Sequence, residues 1–312
     1  MKPILSLRDL SFRLGVPLED LRVVAREIKT HYRVWPLFDK KNLNIVRQIT
    51  SPSPKLKDLQ RRVNARILSK LSLPDSTHGG VPTRSTRSNA APHLGQPCVI
   101  NLDVRKFYPN IRHYVVYRML KNELGFGRDV ASLLTRLMTL GSEIPQGAPT
   151  STAIANILLA ERVDKPLSAL AKGMGCQYTR FVDDITLSGP NPRPLINTTA
   201  RRLSARRLPM YRRTTSGKPK QKITPNSRAQ AVTGLLVNSG KAPSVSRERR
   251  DDIRAAIYAV RKTPSRELTS TLASLRGQIA YVRAFNPGSA RRLEKYLDAM
   301  LARRAVAPAP IL

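Results

Sequence analysis

Two short apolar runs in this chain end in carboxylates. Val99-Ile100-Asn101-Leu102-Asp103 closes on one aspartate, and Tyr178-Thr179-Arg180-Phe181-Val182-Asp183-Asp184 closes on a tandem pair. Both runs carry the β-branched and aromatic content of buried strands. Neighbouring carboxylates at a strand end repel each other, and a divalent cation removes that cost. An Asp-Asp pair alone is a common polar turn; the second carboxylate-terminated strand is what gives this one a chemical reading. Hard oxygen ligands from one or two carboxylates, completed by water and phosphate oxygens, are the usual setting for Mg²⁺. Two such ions about 3.5–4 Å apart would activate an attacking hydroxyl and stabilise a leaving phosphate oxygen. The expected ligands are Asp103, Asp183 and Asp184, holding two Mg²⁺, with Mn²⁺ as a substitute.

The charge balance points to the substrate class. Lys and Arg number 55 against 21 Asp and Glu, giving a net charge of +34 over 312 residues. Such a chain repels itself unless a polyanion supplies counter-charge, and its arginine excess suits bidentate phosphate contacts. Nucleic acid is the expected partner, bound through phosphate neutralisation. With 41% hydrophobic residues, the chain can bury a core and is not disordered throughout. At roughly 150 residues per domain it holds one large domain or two smaller ones. No apolar run spans a membrane and no signal-peptide core follows Met1, so the expectation is a soluble, cytoplasmic protein without a membrane partner. Cys98 and Cys176 cannot alone form a disulfide framework or a four-ligand zinc site and read as buried small hydrophobes.

The elements that must position the carboxylates follow from hydrophobic periodicity. Residues 1–30 read as helical. Residues 32–49 read as a hairpin around Asp39-Lys40-Lys41-Asn42, and 56–71 as a basic amphipathic helix. Residues 74–92 read as loop. Cys98–Asp103 is expected to be a strand, with helices at about 112–124 (stopped by Gly125) and 128–140 following it. A further helix over 151–170 is expected to kink or break near Pro166. Residues 177–188 should form two strands around Asp183-Asp184. A basic helix near 194–207 precedes strands near 219–224 and 230–237, and helices near 247–262, 267–284 and 288–304 complete the chain. The pairs Arg201-Arg202 and Arg206-Arg207 read equally as a phosphate-tracking face or a solvated one. No internal repeat is present.

Five segments taken in order resemble the reverse transcriptases. Asn101-Leu102-Asp103-Val104-Arg105-Lys106-Phe107-Tyr108-Pro109-Asn110-Ile111 is similar to that family's first catalytic motif. Ile144-Pro145-Gln146-Gly147-Ala148-Pro149-Thr150-Ser151 is similar to its Pro-Gln-Gly motif, and Phe181-Val182-Asp183-Asp184 to its aromatic-x-Asp-Asp box. Asn89-Ala90-Ala91-Pro92-His93 and Val232-Thr233-Gly234 narrow the resemblance to the bacterial retron enzymes. Leu275 through Asn286-Pro287 fits their C-terminal region, and the match covers roughly residues 30–290.

The resemblance implies an α+β right-hand polymerase fold, with fingers, a palm of antiparallel sheet plus helices, and a helical thumb. The expected boundaries are 1–95 for N-terminal helices and fingers, 96–240 for the palm, and 241–312 for the thumb and tail. It implies that Asp103 and Asp183 bind both metals with Asp184 in support. Tyr108 would be the aromatic gate that excludes a 2′-hydroxyl, with a core tyrosine as its plain alternative. Gln146 would contact the incoming nucleotide, and Gly147 would let backbone approach it. Lys40, Lys41 and Arg47 would clamp the triphosphate, Arg84 matches another basic nucleotide-binding position, and Lys220 the lysine that assists pyrophosphate departure, with Lys218 and Lys222 as competitors for that role. Asn89, His93, Val232, Thr233 and Gly234 would contact RNA. Phe181 and Val182 depart from the Tyr and Ala usual in retron enzymes, and Gly80 stands where an aromatic often does.

The function so implied is RNA-directed DNA polymerisation of the retron type. A structured non-coding RNA would serve as template and as primer through a 2′-hydroxyl, dNTPs would be consumed, and a branched RNA–DNA product would form. An anti-phage role with a separately encoded effector, and template removal by another enzyme, complete the expectation. The alternatives are a group II intron-like or diversity-generating reverse transcriptase, and a non-catalytic polymerase-shaped RNA-binding scaffold.

Overall fold

A computed structural model describes residues 2–38, 45–211, 221–239 and 241–306. The chain divides into two compact units, Met1–Asn89 with Cys98–Ile223 and Ala90–Pro97 with Thr224–Leu312.

The first unit opens with helices α1 (Leu7–Leu14) and α2 (Leu18–Arg26). Ser6 caps α1 by accepting from the Asp9 amide, and Gly15 ends it at φ +60°, the left-handed stop that a missing Cβ permits. Strands β1 (Tyr32–Phe38) and β2 (Ile45–Pro52) pair antiparallel from Tyr32↔Pro52 onward. Helix α3 (Pro54–Arg66) follows at once, capped by Ser53 with Pro54 in its first turn, where a missing N–H costs nothing. Buried Gln60 on α3 donates to the Tyr32 hydroxyl at 2.8 Å and to the Leu137 carbonyl at 2.9 Å, so one amide ties the hairpin to the helical layer.

The site-bearing part runs through α4 (Thr86–Ala90), β3 (Cys98–Asp103), α5 (Phe107–Asn110), α6 (His113–Arg118) and α7 (Arg128–Met138). It continues through α8 (Ser151–Leu159), α9 (Lys165–Gly173), β4 (Gln177–Phe181), β5 (Asp184–Gly189), α10 (Pro194–Ser204) and β6 (Lys222–Pro225). The sheet order is β4-β5-β3-β6, with β5 antiparallel to both β4 and β3. Residues Ile185 to Gly189 of β5 are all buried, because helices cover the sheet. Ile100, Leu102, Leu187, Leu158 and Leu134 meet in one apolar core, which anchors the strands and leaves only their carboxylate ends open.

The helix over 151–170 is interrupted just before Pro166. Residues Ala160–Asp164 form a π turn, and Pro166 lies in the first turn of α9. The break comes from the wider π turn, which turns Asp164 into the interior, fully buried. A second π turn, Met119–Glu123, ends the 112–124 helix before Gly125 at φ +70°.

The second unit comprises 90–97 and the residues from Thr224. Strands β7 (Ala231–Val232), β8 (Leu235–Leu236) and β9 (Ser244–Val245) form a small antiparallel sheet. Helices α11 (Arg247–Ala259), α12 (Ser265–Phe285) and α13 (Pro287–Val306) follow, with Ile257, Val260, Ile279, Val282 and Leu297 buried. Among the described residues no helix is long and apolar enough to cross a membrane.

Candidate active site

Strand register decides where the carboxylates meet. Asp103 ends β3 directly opposite Asp184, which begins β5. Phe181 pairs with Asp184 across the β4–β5 hairpin, so Val182 and Asp183 form a two-residue turn. The Asp183 carbonyl accepts from the Val104 amide at 3.3 Å, joining that turn to the end of β3. All three aspartates border one cleft of about 810 Å³, together with Tyr108 and Gln146. Asp103 and Asp183 are half-buried and Asp184 is exposed.

Val182 adopts φ +61°. A β-branched residue in the left-handed region is a strained outlier, and glycine normally takes the first position of a hairpin turn of this kind. Strain held at the edge of a cleft requires surroundings that over-determine it.

Among the described residues, no three His, Cys, Asp or Glu side chains are gathered closely enough to form a metal cage. The three aspartates share the cleft. Their chemistry nonetheless fits Mg²⁺, which keeps several waters and takes only one or two carboxylates when phosphates complete its shell. Asp103, Asp183 and Asp184 are the side chains that would hold it.

Tyr108 projects from α5 at the cleft wall. Its hydroxyl lies 3.0 Å from Thr152 Oγ1, and its ring meets buried Phe107 edge-on at 5.4 Å. Burial, reinforced by the Asp183 charge, pushes its pKa up against the Thr152 hydrogen bond, so the ring carries a neutral hydroxyl. Gly80, at φ +70°, faces the same threonine: a Cβ there would lie 2.4 Å from Thr152 Cγ2. The departure from an aromatic at residue 80 therefore fits the close approach of that loop to α8.

The Gln146–Gly147 loop is held by the hairpin of the first unit. Thr50 Oγ1 on β2 donates to the Gln146 carbonyl at 2.7 Å. Gly147 has φ +118°, and a Cβ on it would lie 2.5 Å from the Thr50 carbonyl oxygen. Residues that the sequence reading did not single out also border the cleft: Thr50, Lys106 and Glu143. Burial raises the Glu143 carboxyl against the pull of Arg112 and Lys106. Lys106 lies within the Asn101–Ile111 segment, but only its φ of +44° marks it, and that is invisible in sequence.

Other expected site residues fall elsewhere. Lys40, Lys41, Lys218 and Lys220 lie outside the described residues, as does the Arg47 side chain. Arg84 staples its own loop. Its guanidinium donates to the carbonyls of Pro74 and Thr77 and pairs with Asp75 at 3.1 Å, and it does not border the cleft. Asn89 and His93 are buried, at 1% and 0% exposure. Val232, at 0%, is likewise core. Only Thr233 and Gly234 of that motif reach the surface, as a two-residue turn with φ of +46° and +80°, the paired positive values of a type I′ hairpin.

His78 carries a pH prediction. It is 7% exposed, with Nδ1 2.9 Å from Ser88 Oγ; burial, then the Arg84 charge, lowers its pKa from 6.5 to about 4. The folded state keeps it neutral where the unfolded chain would take a proton. Its stabilisation is therefore complete above about pH 6.5 and is lost as the pH falls toward about 4. The melting temperature should drop across that window, and His78→Gln should flatten the drop; an unchanged slope would contradict the assignment.

Comparison with known proteins defines the class. The profile of the family described as "Reverse transcriptase (RNA-dependent DNA polymerase)" matches residues 38–206. A retron Mx65 reverse transcriptase from Myxococcus xanthus is 34% identical, over 92% of this chain and 70% of its own. A retron Se72 reverse transcriptase from Salmonella heidelberg (strain 579083-10) is 33% identical over 83% and 69%. The retron Ec86 reverse transcriptase from Escherichia coli is 30% identical over 94% and 88%. Among solved structures, a Sicinivirus 3Dpol RNA dependent RNA polymerase aligns over 93% of this chain and 68% of that one, with TM-score 0.46 and 14% identity. The chain belongs to the retron reverse transcriptases and is an RNA-directed DNA polymerase of α+β fold.

Proposed function

We propose that this protein copies part of a structured non-coding RNA into single-stranded DNA from dNTPs, beginning at a 2′-hydroxyl of that RNA and yielding a branched product. The observation that carries this reading is the register pairing of Asp103 with Asp184, beside Asp183, in a cleft that also holds Tyr108 and Gln146. Asp103 and Asp183 would hold magnesium, with Asp184 at the rim. Bound there, the metal supplies Lewis-acid stabilisation of the attacking and leaving oxygens. The Thr50-braced Gln146 loop would seat the nucleotide, since small misplacements cost large factors in rate.

The Tyr108 ring, fixed by Thr152 and Phe107, would lie under the sugar and exclude a 2′-hydroxyl by contact. Tyr108→Ala should raise the ribonucleotide-to-deoxynucleotide incorporation ratio at least about tenfold, whereas Tyr108→Phe, which keeps the ring, should stay close to wild type. An unchanged ratio in Tyr108→Ala would return this residue to the core.

In the second unit, Arg247, Arg250, Arg254 and Arg292 border a cavity of about 390 Å³ with a single carboxylate, Asp251. Arg254 lies 5.5 Å over the Tyr296 ring. Guanidiniums held this way suit RNA phosphates, and shape-based recognition of a stem is the usual mode for folded RNA. The domain reading that follows is fingers over 1–95, palm over 96–240 and thumb from about 241. An anti-phage role in the bacterial cytoplasm, with a separately encoded effector, goes with this reading and is supported by retron membership. The test is to incubate the purified protein with its RNA, dNTPs and Mg²⁺ and analyse the product. DNA joined to RNA through a 2′ linkage supports the proposal; DNA without such a linkage, or none at all, overturns it.

A further inference from the structure

Beneath the strained Val182–Asp183 turn lies an ion pair sealed from solvent. Arg180 and Asp164 are both 0% exposed. Arg180 Nε donates to Asp164 Oδ1 at 2.9 Å and Nη2 to Oδ2 at 2.7 Å. Tyr178 and Thr77 hydroxyls donate to the same carboxylate at 2.6 Å and 2.9 Å. Burial alone would raise the Asp164 carboxyl; the charge of Arg180 and these hydrogen bonds outweigh it and hold it below its ordinary value. The remaining Arg180 nitrogen points upward: Nη1 donates to Asn156 Oδ1 at 2.9 Å and to the Val182 carbonyl at 2.8 Å. Asn156 passes the link on, donating to the Gly79 carbonyl at 2.8 Å.

Gly79 presses on the turn from the other side. A Cβ there would lie 2.5 Å from both the amide nitrogen and Cγ2 of Val182. Its segment is fixed along β4, since Arg180 N donates to the Ser76 carbonyl and His78 N to the Arg180 carbonyl, at 2.7 Å and 2.8 Å. The turn is thus gripped at its carbonyl and walled at its amide.

We propose that Arg180, locked by Asp164, is a positioning residue for the polymerase reaction: it holds Val182 in a backbone conformation that valine disfavours and so presents Asp183 to the cleft. A buried ion pair is weak grounds for a stability role, because desolvation offsets most of its attraction. A fork-shaped cation that spans a carboxylate, an amide and a main-chain carbonyl does something a hydrophobic core cannot. The π turn that brings Asp164 inward belongs to the same device, consistent with the frequent location of such turns at functional sites.

The inference rests on the proposed role of Asp183, so the test reads both geometry and turnover. Arg180→Lys keeps the charge but cannot reach Asp164, Asn156 and Val182 together. Gly79→Ala leaves the ion pair intact and pushes on the turn directly. Each folded variant should exchange the amide hydrogens of residues 182–184 about tenfold faster, with those of Ile100 and Leu187 unchanged. Each should lose about 30-fold in kcat for primer extension, with KM for dNTP within about threefold. Val182→Gly placed on Arg180→Lys should recover at least about fivefold of the lost kcat, because glycine relieves the strain that Arg180 restrains. A merely structural ion pair would not be rescued at the turn. Wild-type exchange at 182–184 in the folded variants, or no recovery in the double variant, overturns the proposal; if Arg180→Lys does not fold, Gly79→Ala decides by exchange. If the wild-type protein makes no DNA, the catalytic reading fails on its own, and the exchange data still decide the positioning one.

Discussion

Asp183→Asn and Asp103→Asn are each expected to lower the rate of nucleotide addition at least about 10³-fold, with RNA binding and melting temperature close to wild type. Asparagine keeps the size of the side chain, and the Asp183 contact to β3 runs through its main-chain carbonyl, so the turn should survive. What is lost is negative charge at the cleft, and with it the stabilisation of bound cations on which phosphoryl transfer depends. Several kcal/mol of transition-state stabilisation correspond to such a factor at about 1.4 kcal/mol per tenfold. Asp184→Asn should cost less, because Asp184 is exposed at the rim. Single-turnover extension of a DNA primer on an RNA template measures all three. Activity within tenfold of wild type in either of the first two would remove that carboxylate from the site.

Gly147→Ala should reduce primer extension at least about 100-fold without unfolding the chain. Two independent costs meet at this residue. Its φ of +118° lies where an L side chain is strained by about 1–3 kcal/mol. The added methyl would also lie 2.5 Å from the Thr50 carbonyl oxygen, which is backbone and cannot swing away. The loop and β2 must separate, breaking the Thr50–Gln146 hydrogen bond and shifting Gln146. The loss should fall mainly on KM for dNTP, because Gln146 borders the space a nucleotide would fill. Thr50→Val, which removes the hydrogen bond alone, should give a smaller change of the same kind. If Gly147→Ala leaves KM unaltered, the loop does not seat the nucleotide.

The elements around the site were legible in sequence wherever local pattern decides. Val99-Ile100-Asn101-Leu102-Asp103 reads as a strand because apolar, β-branched residues run to a carboxylate, and β3 ends at Asp103. The strands flanking the tandem acids were readable for the same reason, and so was the helical character of the residues after Ser246. Features that depend on distant partners were not. Pro166 marks where the 151–170 helix is interrupted but not the form of the interruption, a π turn that buries Asp164 against Arg180, sixteen positions further along the chain. The burial of Asn89 and His93 was not readable, because burial is a property of the packed chain and not of residue type. Arg84 matches a basic nucleotide-binding position in sequence, while its contacts to two nearby carbonyls depend on the folded loop. Thr50 carried no signal, since its partner Gln146 is brought beside it only by the fold.

The most direct test of the central claim is incorporation of radiolabelled dNTP on an RNA template, with Mg²⁺ varied, by the wild-type protein and Asp183→Asn side by side. The account requires Mg²⁺-dependent DNA synthesis by the wild type and none above background by a folded, RNA-binding Asp183→Asn. Equal synthesis by the two proteins, or a wild type that binds RNA and extends nothing at any Mg²⁺ concentration, would contradict it.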